Sequence, residues 1–198
     1  MRTLLILLLT IAPAGIAVAA DVRYEIVPAE SEIVFESKAP LESFEGKTRD
    51  LGGHFTIDPE ALTGPVDLRV EVQLASFDTG INKRNRHMSE NHFETDTYPL
   101  ATFAAEEVLR AEPGTLAPGR TTRLTLRGTL DLHGVTRPLE CEVLVEVSPA
   151  GSLRVQGGFP VSLKDHAIKR PKFLVMKLAD EQQVRFELTA RPTHGGTE

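Results

Sequence analysis

From Ser31 to Leu188 the chain keeps returning to a period of two, with apolar residues at alternate positions and polar ones between. Successive side chains on a β-strand point to opposite faces, so this spacing marks strands with one dry and one wet face. Ile33 and Phe35 alternate with Glu32 and Glu36, although Val34 makes that run locally apolar. Phe55 and Ile57 follow a Gly52-Gly53 turn signal, and Leu68, Val70, Val72 and Leu74 alternate with Arg69, Glu71 and Gln73. Leu124, Leu126, Leu130 and Leu132 form the next row, followed by Leu139, Cys141, Val143, Val145 and Val147. Val155, Phe159, Val161 and Leu163, then Val184, Phe186 and Leu188, complete the series. The breaks carry turn chemistry, as at Asp58-Pro59, Thr63-Gly64-Pro65, Glu112-Pro113-Gly114, His133-Gly134 and Pro149-Ala150-Gly151. The fold expected is all-β. Alternation alone does not separate a sandwich from a barrel, because both have an apolar interior and a wet exterior. Gly128 and Gly157 fall in line with the inward rows, and small residues there fit two readings equally: unfilled volume that holds a slender apolar ligand in a barrel, or a fully packed core.

The first twenty residues have the layout of an export signal. Arg2 precedes an apolar run, Leu4 to Ile11, broken by Thr10, and Ala17-Val18-Ala19 suits a cleavage site. That run falls short of the roughly 20 residues that span a bilayer. The expected organisation is a signal peptide over residues 1–20, one domain over 21–192 and a C-terminal tail over 193–198. Losing Arg2 would take the net charge from −6 to −7, which argues against general nucleic-acid binding. The single cysteine, Cys141, has no intrachain partner and reads as a buried, inert thiol.

Residues 82–93 interrupt the strands with a polar, basic segment that contains Lys83, Arg84, Asn85, Arg86, His87 and His92. Six histidines raise the question of a metal. His87 and His92 are five apart and share no helical face, and neither His-Glu-x-x-His nor paired Cys is present. No metal site is expected. Ser76 and Ser89 lie near these histidines without a Gly-x-Ser-x-Gly elbow. Glu90, Glu94 and Asp96 read as residues that cap and solvate a short helix, so no catalytic residues are expected. The basic residues here, and those of Lys164–Lys172, are candidates to attract an anionic lipid head group or a membrane surface.

The segment Ala75–Met88, continued by Phe93 and Tyr98–Phe103, resembles the YceI-like proteins, bacterial lipocalin-like proteins associated with polyisoprenoid binding. Ser31–Phe35, Phe44-Glu45-Gly46, Gly53–Asp58 and Gly128–Leu139 extend the resemblance, which covers approximately residues 22–190. It implies an extended eight-stranded antiparallel barrel with a short helix, a long apolar cavity, a periplasmic location and a possible homodimer. Implied ligands are isoprenoid or fatty-chain lipids, including isoprenoid quinones, with no other cofactor. The run Leu163–Ile168 departs from the family, with Lys164, His166 and Ala167 where relatives carry Arg, an aromatic residue and Gly. Head-group or length preference is therefore left open.

The resulting expectation is a carrier whose cavity is lined by Ile33, Phe35, Phe55, Ile57, Val72, Leu74, Phe103, Leu126, Leu130, Val143, Phe159 and Phe186. Arg84, Asn85 and His87 are the candidate polar contacts at its mouth, unless they brace the loop instead. The rival functions are a stress-related interaction module for a membrane redox partner and an enzyme using His54, His87 or His92.

Overall fold

The computed structural model describes residues 21–38, 43–170, 172–173 and 176–193; the expected signal peptide and most of the tail lie outside them. The strands are β1 (Val22–Ile26), β2 (Glu32–Lys38), β3 (Ser43–Thr48), β4 (Leu51–Ile57), β5 (Gly64–Gln73) and β6 (Leu100–Glu112). They continue with β7 (Thr121–Leu132), β8 (Val135–Val147), β9 (Leu153–Ser162), the short β10 (Lys172–Phe173) and β11 (Met176–Lys177), and β12 (Glu181–Pro192). Among the described residues one helix, α1 (Asn82–Met88), runs into a wider π-type turn over Ser89–Phe93.

The main sheet closes on itself. β1 pairs with β4, the order continues β5-β6-β7-β8-β9-β12, and β12 returns to β1, every pair being antiparallel. β12 also pairs with β2 along Gln183–Glu187, below its contact with β1 at Ala190–Pro192. β1 and β2 are thus one stave broken by the turn Pro28–Glu30, and β3 and β4 together form its neighbour. Counted as staves, this is an eight-stranded closed antiparallel barrel with one short helix. Closure leaves few unpaired strand edges. Register shifts between Pro65 and Leu68, and at two points between β6 and β7, add the coiling that a closed barrel requires.

The alternating rows point inward as their period dictates. At one end Leu62, Leu124, Val145, Leu153 and Ala190 are buried together. The loops over that end are tied to each other: Leu62 N donates to Gly114 O at 3.2 Å and Leu116 N to Pro59 O at 2.8 Å. At the other end a second buried group includes Leu74, Phe77, Leu132, Leu163 and Ile168, with Met88 and Phe93 packed against it. The helix therefore lies over this second end.

The two inward glycines do something other than leave space. A Cβ on Gly128 would stand 2.6 Å from Ala105 Cα, so the backbone of β6 already fills that position. A Cβ on Gly157 would lie 2.6 Å from Phe186 Cζ and 2.8 Å from Glu142 O. Both glycines permit close approach of a neighbouring strand or ring. The reading in which they open the cavity is corrected: the interior room comes from the girth of the barrel.

Candidate functional site: an apolar cavity with a basic mouth

Between the two buried groups lies a cavity of about 900 Å³. Each of the twelve apolar residues named from the sequence lines it: Ile33, Phe35, Phe55, Ile57, Val72, Leu74, Phe103, Leu126, Leu130, Val143, Phe159 and Phe186. They come from β2, β4, β5 with the turn after it, β6, β7, β8, β9 and β12, so the whole circumference contributes. Two of the rings are seated by cross-strand glycines. Phe35 faces Gly46 and Phe186 faces Gly157 in the ladder, and each ring occupies the space its glycine leaves. A cluster of Phe35, Phe44, Phe77 and Phe93 closes toward the helix, with ring centroids 5.2–6.3 Å apart.

The three polar candidates separate. Arg84 and His87 line the cavity; Asn85 does not. The Asn85 side-chain oxygen accepts from Thr79 N at 2.9 Å and Thr79 Oγ1 at 2.6 Å, and its amide donates to Asp78 Oδ1 at 2.7 Å. Asp78 also accepts from Gly80 N at 2.8 Å, and these bonds hold its carboxyl below the usual carboxylate range, the one from Asn85 foremost. Asn85 is the brace of the loop that leads into α1. No side chain caps the start of that helix, so this ring of hydrogen bonds supplies its local order.

Arg84 sits at the rim with its guanidinium 4.1 Å from the centre of the Phe44 ring, a cation–π contact. It also donates to Thr79 Oγ1 and Thr79 O, both at 2.9 Å. The His87 and His92 rings meet edge to face at 4.9 Å. His92 Nδ1 lies 2.7 Å from Lys169 O, which accepts, so this nitrogen carries the proton; Nε2 is buried without a partner among the described residues. Burial, above all, depresses the His92 pKa.

Further polar residues reach the cavity that the sequence reading had not placed there: Ser37, Lys83, His92 and Gln182. Ser37 and Gln182 fall in phase with the inward rows Ile33-Phe35-Ser37 and Gln182-Val184-Phe186, a signal that was present in the alternation. Ser37 Oγ is wholly buried without a hydrogen-bond partner among the described residues, and Gln182 Nε2 donates to Ala179 O at 2.8 Å. Cys141 is buried in the wall, and burial pushes its thiol up to about 11. Among the described residues, no group of three or more His, Cys, Asp or Glu is placed to hold a metal.

The departure at residues 163–168 also has a structural reading. Ala167 adopts φ 55°, the left-handed region that glycine occupies without strain. His166 is buried, and its Nδ1 donates to Val135 O at 3.0 Å, which pins the loop to the start of β8.

Comparison with known proteins places this geometry. The family model described as YceI-like domain matches residues 24–190. UPF0312 protein plu2095 of Photorhabdus laumondii is 31% identical over 130 residues, covering 63% of this chain; the match spans 62% of that relative's length. Burkholderia cenocepacia BcnA superposes with a TM-score of 0.71 at 22% identity, over 84% of this chain and 99% of that one. A polyisoprenoid binding domain from Saccharophagus degradans, implicated in plant cell wall breakdown, superposes with a TM-score of 0.70 at 22% identity. That alignment covers 86% of this chain and 98% of the other. At such identities these two show a shared fold.

Proposed function

This chain belongs to the YceI-like domain family, and from that premise we propose that it is a periplasmic carrier for a long-chain apolar ligand. The ligand is a polyisoprenoid, an isoprenoid quinone or a similar amphiphile, enclosed within the barrel. The observation that carries the reading is the cavity itself, of about 900 Å³, with the twelve apolar residues around it. Each methylene transferred there from water contributes about 0.8 kcal/mol, so a long chain binds tightly with few polar contacts. The polyisoprenoid-binding relative from Saccharophagus degradans supports an isoprenoid in particular. The leader-like residues 1–20 support export. A carrier of this kind binds its cargo without chemistry, and contacts with a membrane surface or a second copy of the chain belong to loading and release.

The test is uptake. Delipidated protein should take up a polyprenol or an isoprenoid quinone at about one molecule per barrel. Leu130→Glu, which sets a charge inside the cavity, should abolish uptake while far-UV circular dichroism still reports a β-barrel. No uptake by the parent protein, or undiminished uptake by a folded Leu130→Glu variant, contradicts the proposal.

A further inference from the structure

The polar lining of the cavity is confined to one end. Ser37 closes β2, Gln182 opens β12, and Lys83, Arg84, His87 and His92 come from α1 and the turn after it, so all of them meet at the mouth. The opposite end is sealed by aliphatic side chains such as Leu116 and Leu153. A ligand with one polar head has a single favourable direction in such a barrel: tail inward, head beneath the helix.

The charge at that end has one sign. The charged or chargeable nitrogen groups of the lining are Lys83, Arg84, His87 and His92, and no Asp or Glu is among its described residues. Nearby carboxylates are engaged elsewhere. Asp78 is held by Asn85, Glu45 pairs with Lys47 and Arg185, and Glu94 lies 3.8 Å from Lys169. Glu90, which lies between His87 and His92 in the sequence, is exposed and outside the lining. Lys83, by contrast, has neither an ion pair nor a hydrogen bond among the described residues, and it is an exposed member of the lining. We infer that this basic collar is a head-group site that selects amphiphiles ending in an anion, a phosphate or a carboxylate, over neutral or cationic ones of the same chain length. The inference rests on the chain-binding reading above and adds what that reading leaves open, the chemistry of the polar end. A charge at the edge of an apolar wall acts through a lower effective dielectric than in bulk water, so one lysine suffices to discriminate. A charge-assisted contact of this kind corresponds to about a tenfold preference.

Two probes with the same tail decide it: hexadecyl phosphate and hexadecanol, titrated calorimetrically into the delipidated protein at neutral pH and low salt. Hexadecyl phosphate should bind about tenfold more tightly. The gap should narrow in Lys83→Gln, persist in Lys83→Arg, and shrink in high salt as the collar is screened. Equal affinity for the two probes, or a gap untouched by Lys83→Gln, overturns the collar while leaving the carrier reading in place. If neither probe binds, the carrier reading fails and the collar falls with it.

Discussion

Asn85 shows how one residue type acquires its role from its neighbours. Three hydrogen bonds to Thr79 and Asp78 turn it into the clasp of the loop before α1, taking both acceptor sites of its side-chain oxygen and one of its two N–H donors. Asn85→Ala should therefore cost about 1–3 kcal/mol in urea denaturation, the penalty for stranding partly buried partners, with little change in uptake. Ala167 carries the opposite kind of information. Its φ of 55° is a conformation that costs an alanine about 1–2 kcal/mol, partly offset by the flexibility glycine brings to the unfolded chain. Ala167→Gly should raise stability by about 0.5–1 kcal/mol, read from the same denaturation curves. Cys141 is sealed in the barrel wall with its thiol pushed up to about 11. At pH 8 a thiol reagent should label it slowly in the native protein and rapidly once urea has opened the barrel; equal rates would place the thiol outside the wall.

At the scale of elements, the strands were legible because each has one dry face. The rows from Leu68–Leu74, Leu124–Leu132 and Leu139–Val147 became β5 with the turn after it, β7 and β8, with the expected residues inward. The breaks within two of the staves were less legible, since the turn Pro28–Glu30 and the step at Arg49-Asp50 interrupt strands that continue beyond them. Such interruptions depend on how neighbouring strands meet across the barrel, which local periodicity does not encode. Residues 82–93 were legible as a helical insert; their inward face was only half legible, because Lys83 and His92 depend on how α1 is laid over the opening. The clamp from His92 to Lys169 makes that placement sensitive to pH. Burial lowers the folded-state pKa of His92, so below about 6.5 the unfolded chain gains a proton that the native one resists. Stability contributed by neutral His92 is complete above that value and declines as the pH falls through the lowered pKa. Thermal melts from pH 7.5 to 5 should show this loss, and His92→Gln should flatten it; an unchanged slope would remove His92 from the account.

For the whole molecule, the pattern of alternation and the presence of a cavity are separate facts. A packed core and a hollow barrel are written with the same inward row, and the glycines that promised space at Gly128 and Gly157 are filled by adjacent strands. The hollow emerges only when eight staves close with enough girth to keep facing rings apart, a property of topology rather than of any one residue. The segments shared with the YceI-like proteins carry that topology, whereas the alternation does not. A bulky side chain on the inner wall should consequently shorten the accepted chain without unfolding the barrel. Val155→Trp, at a lining position, should weaken binding of long polyprenols more than that of short ones in a length series. The central claim is occupancy, and native mass spectrometry of protein purified from a bacterial envelope without delipidation tests it most directly. The account predicts a mass shift that matches one long-chain amphiphile per barrel and is released by organic solvent. A barrel that emerges empty, and stays empty after incubation with envelope lipids, would contradict it.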